Sequence, residues 1–317
     1  MIEDFWGRVI RRLRRTLRHE AFRRATAHAL DTAPLALSGQ SPLFLSMVRH
    51  GDVVPYLLAI KSLYAAIGVG RVAVIDDGTL TLADREILAR HVPGVAILDI
   101  AAVDTGRCPR GGTWERLVKI VDLTAETYVI QADADTLVTG PIPEVVQCWR
   151  ENRSFLLGTA VGRKVEPAIV TARLVQGWIT QAGVGGVKIG TLAEAALAEM
   201  PDGARRSYVH ASSGFAGFAH GRFNRSELER FSLWMQERFS SRWTEWGSEQ
   251  IASNYLLAND PGAVVLPFER YCCFEPPMPA GTPSLYHFIG TYRYDGGVYR
   301  RRAREFLAGY ATRTQAG

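Results

Sequence analysis

Short apolar runs alternate with amphipathic stretches along the first half of the chain. The apolar runs have the length of buried strands and lie at 43–48, 71–75, 95–100 and 128–131. The stretches between them repeat apolar residues at helical spacing, at 54–66, 82–91 and 113–123. Strands that alternate with helices in this way form a mainly parallel sheet, so the pattern predicts an α/β fold. Ligands of such folds bind beyond the carboxyl ends of the strands.

The pattern is less regular after residue 140. Apolar and glycine-spaced segments predict further short strands at 154–160, 209–219, 263–267 and 285–289. Helical spacing predicts a helix at 247–257, and the segment 165–200 is predicted to be helical in parts, with interruptions at its glycines. No internal repeat is visible, and the length of 317 residues is enough for one large domain or two small ones.

A basic helix is predicted before the first strand. Residues 3–30 carry arginines on one face and apolar side chains on the other, namely Phe5, Trp6, Val9, Ile10, Leu13 and Leu17. Such a helix is typical of docking on an anionic membrane surface, and the alternative is packing against its own domain or a partner subunit. The predicted division is therefore a basic amphipathic helix (1–32), a main domain (40–300) and a basic C-terminal tail (301–317).

Charge and cysteine content narrow the classes of function. The net charge is +5, and the first 31 residues contribute +4 of it, with eight arginines against four acidic residues. The rest of the chain is nearly neutral, which argues against a nucleic-acid partner. The four cysteines form no CxxC pair, and the sequence shows neither a secretory signal nor a membrane span. These features predict a cytoplasmic protein with reduced thiols, and the preference for arginine over lysine is typical of GC-rich bacterial genomes.

Two aspartates at the end of a predicted strand carry the clearest chemical signal. Asp133 and Asp135 follow the apolar segment 128–131, and a strand or tight turn at this spacing directs both carboxylates towards one cation. Mg²⁺ and Mn²⁺ are bound by one or two carboxylates together with water and diphosphate oxygens. A nucleotide-sugar donor would supply the diphosphate, whose departure the metal stabilises. The alternative is a pair of loop aspartates that cap the following turn.

Four further features resemble, in the same order, a GT-A fold glycosyltransferase of the glycogenin-like and lipopolysaccharide galactosyltransferase group. Segment 74–79 (Val-Ile-Asp-Asp-Gly-Thr) resembles its nucleoside-binding acidic loop, and Lys119 lies where the group has a donor-binding lysine. Segments 210–215 (His-Ala-Ser-Ser-Gly-Phe) and 247–250 (Gly-Ser-Glu-Gln) resemble those that line its sugar pocket. Segment 286–293 (Tyr-His-Phe-Ile-Gly-Thr-Tyr-Arg) resembles its closing His-Phe-x-Gly-x-x-Lys signature.

The resemblance, which covers residues 43–295, implies one GT-A domain and a metal-dependent hexosyltransferase. It implies that Mn²⁺ or Mg²⁺ is held by Asp133, Asp135 and His287, and that the donor is a UDP-sugar. Donor contacts are implied for Val48, Arg49, Asp76, Asp77, Lys119, Asp133, Ser213, Gly214, Gly290 and Arg293. Glu249 and Gln250 are implied as catalytic residues, and transfer is expected to retain the anomeric configuration.

The expected acceptor is a glycan or a lipid-linked sugar, as in bacterial polysaccharide biosynthesis. It is expected to enter over residues 165–205 and the tryptophans near Trp243, namely Trp243 and Trp246. If the helix at 1–32 docks on an anionic membrane, the protein is peripheral on the inner face of the plasma membrane.

Some residues depart from the pattern of the group. Ser212 or Ser213 stands where the group usually has Asn, Glu249 replaces Asp, and Arg293 replaces Lys. A guanidinium at position 293 can still bind the donor phosphates, and it can do so with two parallel hydrogen bonds.

Two other functions fit parts of the sequence. Segment 133–137 (Asp-Ala-Asp-Thr-Leu) also resembles the D-x-D-x-T start of haloacid-dehalogenase-type phosphatases, in which Asp133 would be the nucleophile. That motif normally opens its domain, whereas three predicted strands precede Asp133, and no GDxxxD motif follows it. The second alternative is a non-catalytic carbohydrate- or lipid-binding module on a transferase fold, although the sequence retains every residue of the expected metal site.

Overall fold

The structure, a computed structural model, describes residues 2–182, 186–201 and 203–315. Its helices are α1 Ile2–Thr26, α2 Val53–Ile67, α3 Leu82–His91, α4 Trp114–Leu123, α5 Pro143–Arg150, α6 Ala168–Ala182, α7 Ile189–Ala196, α8 Arg225–Phe239, α9 Ser248–Ala258 and α10 Val298–Gln315. Its strands are β1 Leu43–Val48, β2 Arg71–Asp76, β3 Ala96–Asp99, β4 Val129–Ala132, β5 Thr136–Val138, β6 Phe155–Gly158, β7 Glu166–Pro167, β8 Ser207–Tyr208, β9 Ala211–Phe218, β10 Val264–Val265, β11 Tyr271–Cys273 and β12 Leu285–His287.

Seven strands form a central, mainly parallel sheet in the order β10-β6-β9-β4-β1-β2-β3. Strands β1 to β4 run parallel to one another, whereas β9 runs antiparallel to both of its neighbours, β4 and β6. The predicted α/β fold with a mainly parallel sheet is therefore confirmed. The strands at the centre are buried on both faces, which is why they read as continuous apolar runs.

Helices cover both faces of the sheet. Leu43 and Leu45 of β1 point towards a core shared with α4, α6, α7, α8 and α9. The intervening Phe44 points towards the opposite core, which it shares with α2, α3 and α5. This division follows from the alternation of side chains along a strand, and it leaves the carboxyl edge of the sheet open for a site.

A smaller three-stranded sheet, in the order β11-β12-β5, lies beside the central one. Strand β5 of this sheet begins after the short loop that follows β4, and β12 pairs antiparallel with β5. The C-terminal part of the chain thereby reaches the carboxyl edge of the central sheet. The predicted metal-binding residues Asp133, Asp135 and His287 lie at this junction.

The two terminal helices pack against each other and against the small sheet. Phe22 of α1 contacts Tyr299 of α10, with ring centroids 4.3 Å apart, and Tyr299 stacks on Phe288 at 4.1 Å. The segment predicted as a basic tail, 301–317, is helical through Gln315 because Ala303 and Leu307 are buried on the same face as Tyr299. The division of the chain at residues 32 and 300 stays a prediction.

The first helix differs in detail from its prediction. Helix α1 ends at Thr26 and a 3₁₀ turn follows at Ala27–Asp31, so the predicted helix at 3–30 is broken near its end. Leu13 and Leu17 are 58% and 61% exposed, whereas the side chains of Phe5, Trp6 and Ile10 lie outside the described residues. In the described part of the chain, no helix has the length and hydropathy of a membrane span.

The irregular segment at 165–200 contains two helices, α6 and α7. The predicted break at Gly183 and Gly185 lies outside the described residues. Strand β10 is only two residues long, shorter than its prediction at 263–267, because it lies at the edge of the sheet and pairs with β6 alone.

Candidate metal and donor site

The loop between β4 and β5 carries Asp133 and Asp135. The Asp133 amide donates to the Gly214 carbonyl at 2.8 Å, and the Thr136 amide and hydroxyl both donate to the Asp133 carbonyl, at 3.1 and 2.9 Å. These bonds hold the loop as a tight turn. Asp135 is buried, whereas the side chain of Asp133 is 28% exposed.

Strand β12 brings His287 to the two aspartates. His287 lies opposite Thr136 in the antiparallel pair, so its ring meets the turn from the other side. Its Nε2 atom is 3.5 Å from an oxygen of Asp133 and 3.2 Å from an oxygen of Asp135. One ligand atom from each of the three residues lies within 4.8 Å of the others. Two carboxylates and one imidazole suit a cation such as Mn²⁺ or Mg²⁺.

The second nitrogen of His287 is also placed. Its Nδ1 atom lies 3.1 Å from the Ser212 hydroxyl and 3.8 Å from the sulfur of Cys273. When a cation is bound and Nδ1–H donates to Ser212, Nε2 has lost its proton and can offer its lone pair to the cation. A hydrogen bond behind the imidazole is the usual way in which proteins orient a metal-binding histidine.

Gly214 gives the His287 ring its space. A Cβ atom at position 214 would lie 2.0 to 2.5 Å from three atoms of the imidazole. No side chain fits at such a distance. Gly214, which the sequence predicted as a donor contact, therefore has a visible role as the surface against which the histidine rests.

A buried arginine that the sequence analysis missed completes this edge. The Arg116 guanidinium contacts Asp133 directly and lies 3.6 Å from an oxygen of Glu249. Lys119, predicted for this region, lies on the next turn of α4 and is partly buried. Among the described residues it makes no ion pair with either carboxylate. Arg116 and Lys119 are three residues apart and so lie on one side of α4. This spacing was the signal in the sequence that could have identified Arg116.

Arg293 lies on the other side of the aspartates. Its guanidinium contacts Asp135, is 3.7 Å from Asp52, and is fixed by a 3.0 Å bond from Nε to the Phe288 carbonyl. Asp52 in turn accepts a 2.6 Å bond from Arg49. The predicted donor residues Arg49 and Arg293 are thus linked through one carboxylate at the edge of the site.

The charges at the site hold one another ionised. Burial opposes the charge of Asp133, but Arg116 and His287 hold the pKa of its carboxyl well below its usual range. Burial likewise opposes the charge of His287, but Asp135 and Asp133 raise the pKa of the imidazole well above its usual value. Without a cation the two aspartates are therefore neutralised by the side chains of Arg116, Arg293 and His287.

Ser213, Glu249 and Gln250 gather beside Asp133. Glu249 is buried at the start of α9 and accepts bonds from the hydroxyls of Thr113 at 2.9 Å and Ser213 at 3.3 Å. Gln250 accepts a 3.3 Å bond from the Ser213 amide. Burial raises the pKa of the Glu249 carboxyl, against the opposing effect of Arg116. This arrangement forms a polar wall next to the metal-binding residues.

The residues predicted for the nucleoside lie at the carboxyl ends of β1 and β2. Val48 is buried and pairs in register with Asp76. Asp76 accepts bonds from the amides of Gly78 and Leu80, at 2.9 and 3.1 Å, and contacts Arg85. Asp77 accepts from the amide and hydroxyl of Thr79 at 3.0 and 2.6 Å. Both aspartates therefore stabilise the turn, and nucleoside contact stays a prediction.

Two positions remain. Gly290 is exposed just beyond β12, with a positive φ of 43° that suits glycine. Trp243, expected on the path of the acceptor, is fully buried, and its indole donates to the Ser232 hydroxyl at 3.0 Å. The expectation for Trp243 was wrong because it packs between Trp114 and Phe231 in the core.

The contact between Gly214 and His287 makes a testable prediction. Gly214→Ala should displace the imidazole and lower the affinity for Mn²⁺ at least about tenfold, the usual effect of disturbing a ligand's support. Isothermal titration with Mn²⁺ measures this. Gly177→Ala is the matched control, because no atom lies within 4 Å of a Cβ at that position. Equal Mn²⁺ affinity of the two variants would contradict the assigned role of His287.

Comparison with known proteins gives structural matches alone. No protein-family model and no curated protein matches the sequence. The galactosyltransferase LgtC, solved in complex with donor and acceptor sugar analogs, superposes with a TM-score of 0.52 at 15% identity, over 84% of this chain and 96% of that chain. An active-site glutamine-to-glutamate mutant of LgtC gives a TM-score of 0.51 at 13% identity, over the same shares of 84% and 96%. The chain therefore has the GT-A glycosyltransferase fold.

Proposed function

We propose that this protein is a metal-dependent glycosyltransferase that moves a hexose from a UDP-sugar to a glycan or lipid-linked acceptor. The observation that carries the proposal is the convergence of Asp133, Asp135 and His287 at the carboxyl edge of the sheet. A Mn²⁺ or Mg²⁺ ion held there would stabilise the charge of the departing nucleoside diphosphate. LgtC, which shares the fold, binds donor and acceptor sugar analogs.

The two arginines act on the donor in this proposal. Arg293 contacts Asp135, and the diphosphate would replace that carboxylate as the guanidinium's partner. Arg116 stays behind Asp133 and faces the sugar of the donor. Lys119, Gly290 and Arg49 line the approach to the diphosphate, and Val48, Asp76 and Asp77 form the edge on which the nucleoside rests.

The sugar of the donor would lie against Ser213, Gly214, Glu249 and Gln250. The Ser213 hydroxyl donates to Glu249 and the Ser213 amide donates to Gln250, so one residue links the two side chains. The LgtC mutant changes an active-site glutamine of that protein. This supports Gln250, the glutamine of the matching segment 247–250, as a residue that contacts the reacting sugar.

The burial and the hydrogen bonds of Glu249 favour transfer with retention of the anomeric configuration. An inverting enzyme needs a base that can take a proton from the acceptor hydroxyl. Glu249 is buried and bonded to Thr113 and Ser213, so it is poorly placed to serve as that base. We therefore expect the product linkage to match the donor linkage. Digestion of the product with anomer-specific glycosidases measures this, and an inverted linkage would rule out retention.

The other two functions have less support. The GT-A fold differs from the fold in which a D-x-D-x-T motif opens a phosphatase domain, and Asp133 follows the fourth strand of this chain. A binding module without catalysis would leave the donor intact. Release of phosphate from p-nitrophenyl phosphate, without a nucleotide-sugar, would favour the phosphatase. Donor binding without UDP release would favour the binding module.

The central test removes the charge of one metal ligand. Asp135→Asn should lower UDP release from UDP-sugars at least about 100-fold, because the metal loses a ligand and the leaving group its stabilisation. EDTA should abolish wild-type turnover, and added Mn²⁺ should restore it. Asp104→Asn is the control, since that carboxylate is 85% exposed and remote from the turn. Full wild-type turnover in EDTA would refute metal dependence.

We propose in addition that α1 docks the protein on an anionic membrane surface. The support is its eight arginines and the exposed Leu13 and Leu17 on the same helix. The double variant Leu13→Glu and Leu17→Glu should lose most of its co-sedimentation with phosphatidylglycerol vesicles. Leu82→Glu is the control, because Leu82 is 80% exposed on another helix. Unchanged co-sedimentation of the double variant would leave α1 with a packing role alone.

A further inference from the structure

A second polar pair lies beside the proposed donor site. His210 directs Nδ1 at Glu194, with both carboxylate oxygens 2.9 Å away. Glu194 is buried, and the Tyr208 hydroxyl donates to it at 2.9 Å. Burial opposes a charge on His210, but Glu194 raises the pKa of the imidazole. The pair fixes the orientation of the ring and presents its Nε2 edge outward.

The pair is connected to the donor site through the chain between β8 and β9. Tyr208 ends β8, His210 lies between the two strands, and Ser212 is the second residue of β9. Tyr208 and His210 both reach Glu194, whereas Ser212 reaches the metal-binding His287 at 3.1 Å. Two residues of extended chain span about 7 Å. The Cα atom of His210 is therefore at most about 7 Å from that of Ser212, the residue that contacts the metal-binding His287.

The exposure of His210 distinguishes it from a core histidine. Its side chain remains 31% exposed although Glu194 beneath it is buried. Among the described residues, Nε2 has no hydrogen-bond partner of its own. Backbone packing fixes the position as well, since the His210 carbonyl accepts a 2.8 Å bond from Thr159 and lies against Gly162. An oriented imidazole with an open edge is suited to bind a hydroxyl group.

An aromatic side chain and an apolar stripe extend from His210. Trp178 of α6 packs edge-on against the imidazole, with ring centroids 5.5 Å apart. One and two turns earlier on α6, Leu174 and Val170 are 44% and 43% exposed. Spacing of four residues places the three side chains in one row. The row leads away from the site, from a polar end at His210 to an apolar end at Val170.

We propose that His210, Glu194 and Trp178 form the acceptor subsite and that the acceptor is a glycoside with an apolar aglycone. An acceptor hydroxyl forms a hydrogen bond with Nε2 of His210, the sugar ring packs on Trp178, and the aglycone lies along Leu174 and Val170. Indole rings pack on the apolar faces of sugars, and the exposed row is continuous with that contact. The inference rests on the proposed function and specifies its substrate class.

The test compares transfer with donor hydrolysis. UDP release from a UDP-sugar with Mn²⁺ is measured in water alone and with methyl and octyl hexosides, and the ratio of glycoside product to hydrolysis is determined. His210→Asn retains a donor near the Nδ1 position, so it keeps the bond to Glu194 and loses the Nε2 edge. We expect this ratio to fall about tenfold for His210→Asn, as for one lost hydrogen bond to substrate. Trp178→Ala should raise KM for the glycoside.

The controls separate substrate binding from folding. His220→Asn changes an exposed histidine two residues beyond the carboxyl end of β9 and should leave the ratio at the wild-type value. A purely structural role of His210 would lower transfer and hydrolysis together and leave their ratio unchanged. That result would overturn the subsite, as would a wild-type enzyme that hydrolyses its donor and accepts none of the hexosides.

The aglycone is tested separately. The wild type should use octyl hexosides at lower concentration than methyl hexosides, and Leu174→Glu should remove this preference, with the exposed Leu82→Glu as control. Equal use of both hexosides by the wild type would overturn the apolar aglycone. Absence of UDP release from every donor would instead contradict the proposed function, so the two failures are distinguishable.

Discussion

The antiparallel pairing of β5 with β12 is the contact on which the candidate site depends. It sets His287 beside a turn that lies far earlier in the sequence. Because side chains alternate along a strand, a slip of one residue would turn the imidazole away and present Tyr286 or Phe288 to the aspartates. The neighbouring Phe288 stacks on Tyr299 of α10, so the terminal helices stabilise the register that the site requires.

Much of the fold could be predicted because the central strands are buried on both faces and the helices between them are amphipathic. The second half was harder. Strand β9 contains two glycines and one pair of serines, and its position beside β4 depends on contacts between distant segments that no local pattern contains. The helix at 298–315 was missed because its arginines conceal a buried face formed by Tyr299, Ala303 and Leu307.

The candidate site, like the fold, could be predicted only in part from the sequence. Asp133, Asp135 and His287 could be predicted from the sequence. They belong to short motifs that stand at the ends of predicted strands, where a parallel sheet places its ligand site. Arg116 was not, since its contact with Asp133 depends on the rotation of α4 about its axis. The role expected for Trp243 on the path of the acceptor was wrong, because the sequence does not distinguish a buried indole from an exposed one. The contact between His210 and Glu194 likewise joins the loop between β8 and β9 to helix α7, and no local pattern in the sequence pairs these two positions.

The ion pair between Arg293 and Asp135 has a consequence for the order of binding. A metal ion that arrives alone must displace a guanidinium already in place, and the guanidinium then keeps only its longer contact with Asp52, at 3.7 Å. A diphosphate that arrives with the metal gives that guanidinium a new partner. The two ligands should therefore bind with positive coupling, each raising the affinity for the other by the same factor. On this view Arg293 lowers the affinity of the empty site for a free metal ion and favours binding of the metal together with the donor.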